Sequence, residues 1–184
     1  MADPAYGTKS WTVIDLENGW ATDKGTPGGF KLAVLRNTLH PEKALIPDDS
    51  LRSDFNRNDS ADGDETATGT IEFIPSVDHL PYIFKWMFGN LSTTGSADPY
   101  AHVSKISTNG PDSMVIETKQ DIGGTARYWK TSGARINRLS FGTTATGFLK
   151  LSLDIIGQKT VMGTSAYSGA VTDWTSTGTR LDAL

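Results

Sequence analysis

No cysteine occurs among the 184 residues. Disulfides, thiolate nucleophiles and cysteine-held zinc or iron–sulfur sites are therefore excluded. Histidine is scarce. His40, His79 and His102 lie far apart, and none has an i,i+4 partner of metal-ligand type. Their ordinary role is on the surface or in the framework. No stretch approaches the roughly 18 apolar residues of a spanning helix. The start, MADPAYGTKSW, has Asp3 early and no apolar run, so it does not read as a secretory signal. The expectation is a chain made in a cytoplasm, with no membrane partner. An excess of positive charge is also missing. Seventeen Lys and Arg stand against 21 Asp and Glu, a net charge of −4. That balance argues against a broad basic footprint for nucleic acid. Nucleotide and nucleophile signatures fail too. GTPGG at 25–29 lacks the Lys-Ser/Thr ending of a phosphate loop, and GTSAYSG at 163–169 does not fit G-x-S-x-G.

What is present is polar and turn-rich. Hydrophobic residues make up 37 % and charged residues 21 %, with 19 glycines. That composition suits one soluble domain of short strands joined by turns and long loops. A chain of this size buries roughly 70 % of its unfolded surface, enough for a single core.

The pattern along the chain is mostly β. Residues 1–10 are polar and read as a flexible tail. WTVIDL (11–16), FKLAVL (30–35) and GTIEFI (69–74) carry strand patterns. Between the last two, residues 36–68 read as a long polar loop interrupted by Pro41 and Pro47, with Leu45, Ile46, Leu51 and Phe55 as sparse apolar anchors. Loops beyond roughly 12–15 residues generally have a job. The alternatives are a surface excursion containing a short strand, or an arm that packs on a neighbouring subunit.

From about 78 to 88 the period changes. Leu80, Ile83, Phe84, Met87 and Phe88 recur at three and four, the stripe of one helix. Ser76 or Asp78 is placed to cap it, Pro81 sits near its start, and Gly89 suits its C-terminal end. Strands then return. MVIET (114–118) and TARYWK (125–130) flank a tight turn at Asp121–Gly124. ARINRLSF (134–141) puts Asn137, Leu139 and Phe141 on one parity. FLKLSLDII (148–156) sets Leu149, Leu151, Leu153 and Ile155 against Lys150, Ser152 and Asp154. Residues 161–184, with Trp174, read as a possible last strand and a tail. The body, 11–160, is expected to be an antiparallel β-sandwich or curled β-sheet with one flanking α-helix and a long loop. The order strands–helix–strands excludes a βαβ fold, and the sheet's edges call for closure or a partner.

Catalytic and metal chemistry finds no assembled set. NRNDSADGDE places Asn58, Ser60, Asp62 and Gly63 in a calcium-loop register, but the twelfth position is Gly69, where the bidentate Glu is needed. The carboxylates there have the ordinary role of a solvated loop. No catalytic, cofactor-binding or metal residues are assigned, and the reading is a non-enzyme. Trp11, Trp20, Trp86, Trp129 and Trp174 keep one alternative open, a carbohydrate-binding or adhesive β-sandwich module.

Taken in order, the pieces resemble the major tail tube proteins of long-tailed bacteriophages. The string runs from Gly19 to Lys159: GWATDKGTPGG, SLRSDFNRND, TGTIEFIPSVDHLPYIFKWMFGN, HVSKISTNGPDSMVIET, RYWKTSGARINRLSF and GFLKLSLDIIGQK. About 25 residues follow, which argues against a surface decoration domain. The resemblance implies a structural subunit of the virion tail, made in the host cytoplasm. It implies homohexameric rings, stacked into a channel for passage of double-stranded DNA during ejection. Implied partners are other copies of the chain, a tail tip or baseplate initiator, a tape measure protein and a tail terminator. Six copies at −4 carry −24 per ring. Such a wall repels phosphates and avoids stalling DNA. Glu72, Glu117 and Asp154, on outward strand positions, are the candidates to face the lumen.

Overall fold

A computed structural model describes residues 10–24, 29–48, 60–96, 100–144 and 147–167. The polar N-terminal tail up to Lys9, the anchors Leu51 and Phe55, and Trp174 lie outside the described residues. Eleven strands and one α-helix form in the order β1 (Trp11–Leu16), β2 (Phe30–Leu32), β3 (Val34–Asn37), β4 (His40–Ile46), β5 (Ala61–Phe73), α1 (Leu80–Phe88), β6 (Gly89–Thr94), β7 (Ala101–Ile106), β8 (Met114–Ile122), β9 (Thr125–Gly142), β10 (Lys150–Gly157) and β11 (Lys159–Gly163).

Of the two expected sheet forms, the curled one is found. Nine strands share one antiparallel sheet along the path β2–β1–β8–β9–β10–β5–β3, with β11 added on β9 and β4 on β5. The first and last strands of that path are the two halves of one stretch of chain, separated only by Ala33. The sheet therefore curls into a half-barrel whose lips are laced by residues 30–37. Side chains reinforce the lacing. Asn37 Nδ2 donates to Thr118 Oγ1 at 2.9 Å and to Thr12 Oγ1 at 3.4 Å, joining β3 to β8 and β1.

The concave face is the core. Ile14, Ile71, Met114, Ile116, Leu151 and Leu153 are fully buried there. The inward parity expected for β10 is found, with Leu151, Leu153 and Ile155 inside and Lys150 and Ile156 exposed. Helix α1 closes one end of the half-barrel, sending Ile83 and Trp86 into the same cluster. It starts at Leu80, two residues later than the stripe suggested, because Val77–His79 wind as a tighter 3-10 turn. Ser76 precedes that turn and makes no side-chain cap bond. Pro81 lies in the first turn, where no amide is required, and Gly89 ends the helix in the left-handed conformation (φ 83°).

β9 departs from the expected pattern. The segments read as TARYWK and ARINRLSF form one strand of 18 residues, bent by two bulges. The first lies between the pairs Ile116–Thr131 and Met114–Ala134, where Gly133 takes φ 65°. The second lies between the pairs Ile155–Ile136 and Asp154–Arg138. Each bulge inserts one residue and so shifts the inward parity by one. Thr131, Ala134 and Ile136 are therefore buried, Leu139 packs on the core, and Asn137 is exposed rather than sharing the side of Leu139.

The largest correction concerns residues 36–68. Their described residues are mostly strand. β4 pairs with the first half of β5 from His40–Thr68 to Ile46–Ala61. β5 begins at Ala61, well before the Gly69 start that its apolar alternation showed. Polar residues fill most of these positions because the β4–β5 hairpin is covered only near its root, where Ala67 is buried and the Thr160 amide of β11 donates to Glu65 Oε1 at 3.1 Å, so no alternation marks the strand. β4 is exposed at every residue. β11 straddles the expected domain boundary at 160/161, pairing with β9 from Lys159 to Gly163.

Candidate assembly surface

The residues that chemistry would require stay apart. His40 sits at the root of the β4–β5 arm. Its ring contacts the Thr38 carbonyl at 2.9 Å and Glu42 at 3.1 Å. Those two partners hold its pKa above the usual 6.5, the carbonyl contributing most. His79 stacks edge-on against Phe30, with ring centroids 5.1 Å apart, and His102 Nδ1 lies 2.9 Å from Thr93 Oγ1 on the β6–β7 hairpin. Among the described residues no group of three His, Asp or Glu side chains could hold a metal ion. Of the calcium-loop register, Asn58 lies outside the described residues, Ser60 only leads into β5, and Asp62 is paired with Lys43 at 2.6 Å. Gly63 and Gly69 belong to an extended strand, not to a turn that wraps a cation. Among the described residues no helix is long and apolar enough to cross a membrane.

One cavity of about 250 Å³ opens between the arm root and β8, β9 and β11. Asn37, Thr118, Trp129, Thr131 and Thr160 line it, and among the described residues His40 is its only titratable group. Its hydroxyls are engaged with each other, Thr131 with Thr160 at 2.8 Å and Thr118 with Asn37. It holds no nucleophile paired with a base. The described tryptophans do not form a sugar platform either. Trp86 is core, Trp11 lies 6.0 Å from Tyr128, and the exposed Trp20 carries the Arg135 guanidinium over its ring at 4.5 Å.

The three acidic residues singled out on strands meet different fates. Glu117 is on the convex face, as its parity required, but it is 1 % exposed. The chain after β11 returns across it, and the Tyr167 amide donates to Glu117 Oε1 at 2.6 Å. Glu117 therefore does not face open solvent. The strap is held further by the Lys24 amide on the Tyr167 hydroxyl at 3.2 Å and by Lys130 Nζ over the Tyr167 ring at 4.5 Å. Burial pushes the Tyr167 phenol above its usual pKa, opposed by the Lys24 bond. Glu72 and Asp154 do reach the surface of the convex face, but each has a cation. Lys150 lies 3.8 Å from Glu72. Arg138 donates to Asp154 at 2.7 Å, while Thr70 donates to its other oxygen at 2.8 Å. This face is locally balanced rather than acidic.

The net charge sits elsewhere. Residues 36–68 hold eight acids and four bases, a net −4 equal to that of the whole chain, and the remaining residues balance at thirteen of each. The arm thus concentrates charge, exposure and unpaired sheet edge. Near its described end it also carries Leu45 and Ile46, 66 % and 57 % exposed. An open strand edge with bare apolar residues is a surface a monomer normally avoids. The sequence signal for it was the length and polarity of 36–68, and the signal that it is a hairpin was absent.

The fold is shared with two solved structures. The SPP1 tail tube structure from solid-state NMR and cryo-EM is similar over 90 % of this chain and 82 % of that one, with a TM-score of 0.54 and 9 % identity. The six-fold symmetrised anti-feeding prophage baseplate contains a chain similar over 89 % of this one and 97 % of its own length, with a TM-score of 0.52 and 15 % identity. No curated protein sequence matches. The family model described as phage tail tube protein matches residues 9–183, nearly the whole length. On that match, the chain belongs to the phage tail tube protein family.

Proposed function

We propose that this protein is the repeating subunit of a phage tail tube, assembling as hexameric rings that stack around a channel for double-stranded DNA. It plays a structural part and catalyses nothing. It is made in the host cytoplasm and ends in the virion tail, where a tip or baseplate initiator, a tape measure protein and a terminator bound the tube. The observation that carries this reading is the β4–β5 arm. A hairpin bare beyond its root, with a free edge and the whole net charge of the chain, makes physical sense once a sister copy covers it. The balanced pairs Arg138–Asp154 and Lys150–Glu72 suit a wall that neither grips nor strongly repels phosphate. A neutral wall replaces the acidic one expected from Glu72, Glu117 and Asp154.

Electron microscopy of the purified, concentrated protein tests this directly. Rings or tubes with six-fold symmetry and a central hole are expected. A protein that remains a single copy at high concentration overturns the reading. Removing residues 42–65 should leave a folded chain that forms no tubes, and long tubes from that variant would show that the arm is dispensable.

A further inference from the structure

The end of the half-barrel opposite the arm bears a second surface that a lone copy leaves open. There α1 sets Phe84 and Phe88 side by side, ring centroids 6.2 Å apart, and Phe84 reaches Phe141 of β9 at 6.3 Å. Both helix residues are only half-buried, and Phe141 is 51 % exposed. The Ser107 amide donates to the Phe88 carbonyl at 2.7 Å, which brings the preceding Ile106, 83 % exposed, to the same rim. Lys85 and Lys105 flank these residues in sequence, and residues 80–106 contain one acid, Asp98, against those two cations. The stretch that carries the rim is thus apolar with a small positive excess. The arm is apolar near its tip with a negative margin.

The two surfaces cannot meet within one copy. Phe141 pairs with Leu151, and Leu151 with Phe73, so the rim lies at the Phe73 end of β5 while the arm tip lies at its Ala61 end. Thirteen strand residues separate them by about 40 Å. Complementary patches at opposite ends of a rigid body join head to tail. A contact of that kind repeats from copy to copy along a line or around a ring.

Resting on the tube reading, we infer that the arm of one copy seats Ile46 on the Phe84–Phe88–Phe141 rim of a second copy, with its carboxylates toward Lys85 and Lys105. Leu45 and Ile46 are adjacent strand residues and so point to opposite faces of the hairpin. One contacts the rim and the other is left for whatever closes over the arm from outside.

The absence of cysteine makes the test clean, because introduced thiols are the only ones. Mixed Ile46→Cys and Phe141→Cys chains should form an inter-chain disulfide in assembled tubes and not in dilute single copies. Ile46→Cys paired with Ile122→Cys, at the tip of the β8–β9 hairpin, should not. Phe141→Ser should raise the concentration needed for assembly by about tenfold or more while leaving the melting temperature of the single copy nearly unchanged. Lys105→Glu should do the same in part, and adding Asp64→Lys should restore assembly. If tubes form at the normal concentration with Phe141→Ser, or the arm cross-links to Ile122→Cys instead, the docking is wrong while the tube stands. If the unaltered chain forms no tubes at any concentration, both fall.

Discussion

A single strand, β5, passes through two different environments. From Ala67 to Phe73 it has β10 on one side, the lacing strand and the start of β4 on the other, and the core beneath it, with Ile71 and Phe73 at 0 % exposure. From Ala61 to Thr66 it pairs with β4 alone, touched by β11 only where the Thr160 amide donates to Glu65 Oε1, and its side chains are exposed or half-exposed. The backbone is the same. The difference is what lies over it. In the first region apolar burial contributes about 1.5–3 kcal/mol per large side chain and fixes the fold. In the second almost nothing is buried, so those residues are free to serve a surface that only a second copy completes. Stability resides in the half-barrel, and the proposed function assigns assembly to the arm.

That division can be broken by substitution. The largest effect is expected from Phe73→Ala, which empties the core beneath the lacing strand. A loss of about 3–5 kcal/mol should appear in denaturant unfolding, and a loss below about 1 kcal/mol would mean the half-barrel is not the stabilising unit. Gly89→Ala comes next. Its φ of 83° is strained for any Cβ, and that Cβ would strike the Gly110 carbonyl oxygen. A loss of about 1–3 kcal/mol in thermal or urea unfolding is expected. Leu45→Ser with Ile46→Ser should shift single-copy stability by no more than about 0.5 kcal/mol, yet suppress tube formation seen by light scattering. A clear fall in melting temperature would place the arm within the folding unit.

The smallest effect concerns His40. Its pKa is raised in the folded state by the Thr38 carbonyl and Glu42. The contribution is therefore fully present below the unfolded pKa and is lost as pH rises through the folded value. NMR titration should give His40 a midpoint above 6.5, falling toward it in Glu42→Gln. A midpoint at or below 6.5 would remove this contact from the arm root.

How much could be read in advance follows the same division. Where one face is buried, the pattern was plain. Leu151, Leu153 and Ile155 announced β10, and Ile83 of the helical stripe is buried, whereas Phe84 and Phe88 of that stripe are only half-buried and Trp86, outside it, is buried. Where a bulge intervened, alternation misled, because Ile136 and Leu139 are three apart and both face inward. Where nothing is buried, as in β4 and the start of β5, the strand carried no hydrophobic period.

Several features were settled by the residues themselves: the all-but-β character, the single helix ended at Gly89, the lack of any thiol chemistry and the ordered string of motifs that marks the family. These depend on local geometry, side-chain period and composition, which any stretch of chain carries with it. Tertiary structure alone decided that residues 30–37 lace both lips of the sheet, that Glu117 lies beneath Tyr167, that Glu72 and Asp154 meet cations, and that the acidic segment stands out as a hairpin. Each of these is a meeting of residues far apart in the chain, and such meetings are fixed by how the sheet curls and what then covers it.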